Sequence, residues 1–227
     1  MLTHTPWVGV RGLRHGFLDG RDCDHAPSWD AAVASAGVPL PVLVPRQVHG
    51  TRVVAAERGG ERPEADGLVV VDPGLLVGIV TADCVPVLLV EPRRRVAAAV
   101  HAGWRGAAAG VLEEALAQLA TLHATAPSDL EAVIGPAAGG CCYEVGPEVR
   151  EAFRARTADV TATAWTPGEP RDRVDLRLAA ALLLRAAGVS RVDVIGPCTV
   201  CGTGYHSYRR DGQRAGRQLS FIGWATP

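Results

Sequence analysis

Apolar residues in this chain fall into short blocks separated by glycine, proline and charged residues. Residues 41–44, 52–56, 67–71, 75–80, 85–90, 96–100, 130–134 and 191–195 have the length and apolar content of strands. Helical spacing is confined to 28–36, to the alanine- and leucine-rich stretch 107–122, and to 176–187, which Gly188 caps. The first half of the chain therefore runs strand after strand, in hairpin-like succession rather than in strict alternation with helices. That order predicts an α+β fold, a mixed sheet with helices packed outside it, over a doubly wound parallel sheet. Proline and glycine clusters at 58–63 and 166–170 read as surface loops too short to separate domains, and no internal repeat or low-complexity tail is present. Residues 1–227 read as one domain, with enough hydrophobic content (48%) to bury a full core.

One block ends in chemistry. Ala98-Ala99-Val100 passes into His101-Ala102-Gly103-Trp104-Arg105-Gly106 and then into the helix at 107–122. The bend sets an imidazole at the carboxyl end of a strand, beside a helix N-terminus whose free N–H groups favour an anion. Without a ligand, the same segment reads as a packing histidine on a tight strand-to-helix turn. Trp104 reads either as a core aromatic or as a platform for a base.

Charge and composition contribute mainly exclusions. The net charge is −1 and no basic run stands out, so there is no electrostatic case for nucleic acid or an acidic membrane surface. Small soluble partners fit better. All 23 basic residues are arginine, which removes lysine Schiff bases and the phosphate-loop lysine; any phosphate must be held by arginine, backbone or metal. Residues 1–6 carry no charged segment followed by an apolar stretch, and no run is long enough to span a bilayer, so a cytoplasmic location is expected. The six cysteines, Cys23, Cys84, Cys141, Cys142, Cys198 and Cys201, are accordingly expected to be reduced. Cys198-Thr199-Val200-Cys201 has the spacing of half a zinc ribbon or a redox dithiol. No second such pair exists and adjacent Cys141-Cys142 has the wrong spacing, so a structural zinc is not expected there.

Three segments each set a metal-competent side chain next to a strand end: Arg46-Gln47-Val48-His49-Gly50, Thr81-Ala82-Asp83-Cys84-Val85-Pro86 and His101-Ala102-Gly103-Trp104-Arg105-Gly106. Two imidazoles and a thiolate suit a tetrahedral zinc with three protein ligands and an open fourth position. They also suit nucleophilic chemistry in which a histidine activates Cys84. Spacing alone does not choose between the two.

These segments, together with Gly135-Pro136, Cys141-Cys142-Tyr143-Glu144-Val145-Gly146, Ser207-Tyr208-Arg209-Arg210-Asp211-Gly212 and Gly216-Arg217-Gln218, resemble the laccase-domain or YfiH-like family in kind and in order. The joint match runs from His49 to Gln218, about three quarters of the chain. The family was formerly called multicopper polyphenol oxidases. The resemblance implies a four-layer α/β/β/α sandwich with mixed sheets and zinc-dependent purine nucleoside chemistry. The reactions implied are phosphorolysis of adenosine, inosine, guanosine and methylthioadenosine to free purine and ribose 1-phosphate, and deamination of adenosine. Purine nucleosides and phosphate would be the partners; the oligomeric state is left open.

Carried over motif by motif, the metal ligands would be His49, Cys84 and His101. Asp83, just before the thiolate, would orient a histidine, and Arg46, Gln47, Arg105 and Arg209 would contact substrate, the arginines neutralising phosphate. Read without a ligand, Asp83 caps a turn and the arginines are solvated surface charges. The chain departs from the family after His15-Gly16-Phe17, where Leu18-Asp19-Gly20-Arg21-Asp22 replaces a Ser/Thr-rich, twin-glycine segment and the region is shortened. Pro136-Ala137-Ala138-Gly139-Gly140 also lacks the cysteine and isoleucine often found there, and the arginine-rich C-terminal motif is longer by one residue. None of these changes removes a ligand.

Asp83 and Glu144 are the carboxylates nearest the motifs and so the candidates for protonating a departing group. The competing reading is a cysteine hydrolase or amidase with Cys84 as nucleophile and His101 or His49 as base, acting on peptidoglycan precursors in keeping with the family's peptidoglycan-editing label. A copper-dependent polyphenol oxidase is a further alternative, because copper would bind such a site tightly as a non-physiological substitute. Seven scattered histidines with no His-x-His pair fall short of a multicopper centre. A non-enzymatic binding protein with a vestigial site is the last.

Overall fold

The structure, a computed structural model, describes residues 1–70 and 72–226, with the side chains of 156, 158 and 159 outside the description. Val71, the expected end of one strand, lies outside the described residues. The core is made by two mixed sheets packed face to face. The larger has six strands in the order Arg191–Val194, Glu131–Ile134, Val85–Glu91, Val96–Ala102, Gly67–Val70 and Val53–Ala55. Its central pairings are antiparallel and both edge pairings are parallel. The smaller sheet orders Leu13–Phe17, Gln218–Trp224, Leu75–Thr81 and Val42–Leu43, again with a parallel pair at one edge.

The period-2 alternation of each strand sorts its side chains into layers. From Val85–Glu91, Val85, Val87 and Leu89 face the helices Val111–His123 and Leu176–Ala186, while Leu88 and Val90 face the other sheet. From the smaller sheet, Val77, Ile79, Ile222 and Trp224 fill the space between the sheets, and Leu76, Leu219 and Phe221 pack on Ala32 and Val33 of the helix Trp29–Ser35. The result is helix, sheet, sheet, helix, the expected α/β/β/α sandwich. Ser28 accepts from Ala31 N and Asp175 accepts from Arg177 N and Leu178 N, so two of the outer helices start on side-chain caps.

Several elements differ from expectation, the strand Leu13–Phe17 among them. The helix expected at 107–122 starts earlier, at Trp104, and is cut by Gly110, whose φ of 105° breaks the helical path; Trp104–Ala109 ends there and Val111–His123 follows at a new angle. The strand Gln218–Trp224, unanticipated, is an inner strand of the smaller sheet; all seven of its residues are buried, so it lacks the polar alternation that marks a half-exposed strand. Pro147–Thr161 forms a helix that carries few apolar residues and buries Val149 and Phe153 at a spacing of four. A small antiparallel sheet of Trp165–Thr166, Asp172–Val174 and Glu144–Val145 lies beside it, next to the loop expected at 166–170.

Candidate functional site

Strand register brings the first two donors together. Val85–Glu91 and Val96–Ala102 are antiparallel neighbours with Val85 opposite Ala102 and Pro86 opposite His101, so Cys84 and His101 emerge side by side at one end of the six-stranded sheet. His49 arrives from a separate loop with its backbone in the left-handed region at φ 62°. Gly106 lets that loop in: a Cβ there would stand 2.7 Å from Gly50 O. The three donor atoms lie within 4.8 Å of one another. Cys84 Sγ is 3.9 Å from His49 Nε2, and the two imidazoles meet edge to face with centroids 4.8 Å apart. Gly103 keeps the space between them clear, since a Cβ on it would lie 3.0 Å from His49 Cδ2 and 3.3 Å from Cys84 Sγ.

The group is organised by Asp66, a residue sequence reasoning missed. Its fully buried carboxylate accepts from His101 Nδ1 (2.8 Å), His49 N (3.0 Å), Gly50 N (2.7 Å) and Val48 N (3.3 Å). One side chain thus fixes the His101 ring, leaves its Nε2 free to face the other donors, and holds the strained His49 backbone in place. Burial pushes the Asp66 carboxyl up, but the hydrogen bonds from His101 and the Gly50 amide outweigh it and hold it below its ordinary value. Burial likewise opposes charge on Cys84, yet His101 and His49 hold that thiol down to about 6. Burial would lower His101, and Asp66 and Cys84 raise it to about 9. Without metal the pair is therefore thiolate and imidazolium at neutral pH.

Asp83 does not face a histidine. At φ 85° its carboxylate turns away and accepts from Thr199 Oγ1 (2.6 Å), Ser207 Oγ (3.0 Å) and Arg209 N (2.6 Å), tying the Cys84 loop to two C-terminal segments. The histidine-orienting role expected of it belongs to Asp66. Gln47 spends its amide on Val80, donating to its O and accepting from its N, both at 2.8 Å. That pairing extends the strand edge, uses one of the two amide hydrogens, and sets Gln47 in the lining of the cleft beside the donors.

Beside the three donors opens a cleft of about 440 Å³ whose lining includes Arg46, Arg62, Thr81, Tyr208 and Arg217. Arg46 is paired with Glu64. Arg105 and Arg209, expected at the substrate, do not line it: Arg105 stacks on Trp104 at 4.3 Å and Arg209 on Tyr143 at 4.8 Å. Trp104 packs against the core, and Glu144, exposed on the small sheet, is also outside the lining. Arg62, Arg217 and Tyr208 line the cleft instead. Thr81 adds a buried hydroxyl with no hydrogen-bond partner among the described residues.

Four of the remaining five cysteines lie closer together than their spacing suggested. Cys141, Cys142, Cys198 and Cys201 converge, their sulfurs within 4.8 Å of one another, although their spacing argued against a shared site. Spacing rules describe local knuckles, and here parallel strand pairing joins two distant turns. Among the described residues no helix is long and apolar enough to cross a membrane.

A His/Cys/His donor set that runs from the buried His101 to the exposed His49 and opens on a cleft, carried by an α/β/β/α sandwich, defines a metal-competent enzyme scaffold. The chain belongs to the laccase-domain (YfiH-like) family: the family model described as multi-copper polyphenol oxidoreductase laccase matches residues 26–225. It is 40% identical over 212 residues to a purine nucleoside phosphorylase of Mycobacterium tuberculosis, covering 88% of this chain and 82% of that one. It is 37% identical to the purine nucleoside phosphorylase YlmD of Geobacillus stearothermophilus, covering 78% and 70%. The crystal structure of that YlmD superposes with a TM-score of 0.75 over 82% of this chain and 74% of that one, at 33% identity. The Neisseria meningitidis protein NMB0706 superposes with a TM-score of 0.77 over 89% and 85%, at 35% identity.

Proposed function

We propose that this chain catalyses zinc-dependent phosphorolysis of purine nucleosides to free purine and ribose 1-phosphate, and deaminates adenosine at the same site. The observation that carries the reading is the His49–Cys84–His101 group opening directly onto a cleft lined by guanidinium groups and one aromatic ring. The names of the relatives support the substrate class. The donors fit zinc: two imidazoles and a thiol already ionised near neutral pH, with room for a fourth ligand. Bound there, zinc supplies a Lewis acid and lowers the pKa of a coordinated water to about 7.

The chain's own groups do the rest. Arg62 and Arg217, with Arg46 at the rim, hold phosphate on the face of the sugar from which its oxygen attacks C1′ as the bond to the purine breaks. Tyr208, 52% exposed, offers its ring to the base. The Thr81 hydroxyl is free to bond a nucleoside polar group. Among the described residues no carboxylate lines the cleft, so neither Asp83 nor Glu144 is assigned the proton transfer to the leaving group. Asp66 positions the ligands, and Asp83 positions the loop that carries Cys84.

A second reading has its own observation. A Cys84 thiolate beside a His101 imidazolium is the resting pair of a cysteine hydrolase, which could act on peptidoglycan precursors. The two readings separate on metal. Mass spectrometry of products from a purine nucleoside panel with phosphate is expected to give free purine and ribose 1-phosphate, and inosine from adenosine, only with zinc-loaded protein. Conversion that survives chelation would reject the zinc reading, and no conversion with zinc verified as bound would move the assignment to the hydrolase. Copper oxidase chemistry, which the family description names, fits less well because among the described residues two imidazoles, His49 and His101, share this donor group. Copper remains a substitute metal there.

A further inference from the structure

Four of the five cysteines outside the cleft meet for a topological reason. Strands Glu131–Ile134 and Arg191–Val194 pair in parallel, and the pairing continues past their ends as a bridge between Ala137 and Cys198. The chain then turns on both sides. Cys142 N bonds Gly139 O at 2.9 Å, which curls Cys141 and Cys142 towards the partner turn, and Gly202 N bonds Cys198 O at 2.8 Å, which curls Cys201 back over Cys198. Gly139 N donates to Cys198 Sγ at 3.2 Å, a contact suited to a ligating thiolate. The turn is built close: a Cβ at Gly139 would lie 3.3 Å from Cys198 Cβ and 3.4 Å from Cys141 Sγ.

We propose that Cys141, Cys142, Cys198 and Cys201 bind a second, structural zinc ion that staples these two turns together. Tetrahedral zinc with Zn–S bonds of about 2.3 Å sets sulfurs about 3.8 Å apart. Cys141 Sγ and Cys201 Sγ are 3.7 Å apart, and all four sulfurs lie within 4.8 Å. A disulfide needs about 2.05 Å, so Cys141 and Cys201 are placed for sharing an ion rather than a bond. Four protein sulfurs close the coordination shell and leave no position for substrate, which makes the site structural.

The staple reaches the cleft through Asp83. Thr199, between Cys198 and Cys201, donates to the Asp83 carboxylate at 2.6 Å, and Ala138 N, just before the first turn, donates to Asp83 O at 2.9 Å. Both clamped turns therefore grip the residue that precedes Cys84. This inference does not depend on the nucleoside reading.

Metal content of the full chain, purified with reductant and desalted, is the test. Zinc by plasma mass spectrometry is expected at two per chain in the parent, at one in Cys141→Ser/Cys201→Ser and at one in His49→Ala/Cys84→Ala. In the last variant, cobalt replacing the remaining zinc is expected to give the intense thiolate charge-transfer absorption of a four-sulfur site. One zinc in the parent with none in His49→Ala/Cys84→Ala overturns the proposal. A cobalt-loaded His49→Ala/Cys84→Ala protein without thiolate charge transfer overturns it too, and decides the matter even if Cys141→Ser/Cys201→Ser fails to fold.

Discussion

The two donor groups of this molecule are built by opposite means. His49, Cys84 and His101 stand at strand ends or on a loop pinned by Asp66, with His101 only 2% exposed, so their geometry exists before any metal arrives. Cys141, Cys142, Cys198 and Cys201 sit on turns, two of them exposed, and owe their arrangement to a few backbone hydrogen bonds. The first group keeps a coordination position open beside a cleft. The second has no opening left once filled. On the two proposals, the group fixed by a buried carboxylate serves chemistry and the group carried on turns serves stability.

Removing one sulfur from each group gives the largest contrast. Cys84→Ala is expected to lower kcat/KM for nucleoside phosphorolysis by more than about a hundredfold, since even losing a ligand's supporting residue costs 10–100-fold. Cys141→Ser is expected to lower Tm by several degrees, about 2–4 °C per kcal/mol lost in a chain of this size, and to leave kcat/KM within about tenfold. Steady-state kinetics and calorimetry on both variants would reverse the assignment if the effects were exchanged.

The two aspartates sharpen the same contrast. Asp66→Asn should weaken zinc binding at the cleft about 10–100-fold in a competition titration, because it loosens His101 and the His49 loop together. Asp83→Asn should weaken it by less than about tenfold and act mainly on stability. Equal losses of affinity would mean that Asp83 acts on the metal after all.

Protons provide the third test. Metal must displace any proton on its ligands, and between about 6 and about 9 Cys84 is already ionised while His101 still carries its proton. Each ion bound then releases one proton from this pair, so affinity rises about tenfold per pH unit in that window and levels off above it. Zinc affinity measured at about pH 7 and about pH 8 should differ by that factor, and a flat profile would remove the thiolate–imidazolium pair. The smallest contrast is among arginines. Arg217→Ala should raise the KM for phosphate about tenfold, as loss of a charge-assisted contact does. Arg105→Ala, which loses only its stacking on Trp104, should leave that KM within about twofold.

The donors of the cleft were legible because their chemistry is scarce: in a chain with seven histidines, His101 ends a strand and Cys84 precedes one. Asp66 was not legible. In Glu64-Ala65-Asp66-Gly67 it reads as a polar residue ahead of a strand, and only the pairing of Gly67–Val70 with Val96–Ala102 delivers it to His101. Arg62 and Arg217 reach the cleft from loops whose path the sequence does not encode locally. The strand runs at 85–90 and 96–100 stood out as apolar blocks, whereas Gln218–Trp224, interrupted by Ser220 and Gly223, did not. The cysteine cluster escaped because its halves are about sixty residues apart and joined by a parallel edge pair.

The most direct test of the account is inosine phosphorolysis, read as ribose 1-phosphate, while zinc is titrated into chelated protein. No product is expected without metal, then a rise that saturates as the His49–Cys84–His101 site fills, and no rise in Cys84→Ala at the same zinc. Ribose 1-phosphate formed by metal-free protein, or formed undiminished by Cys84→Ala, would contradict it.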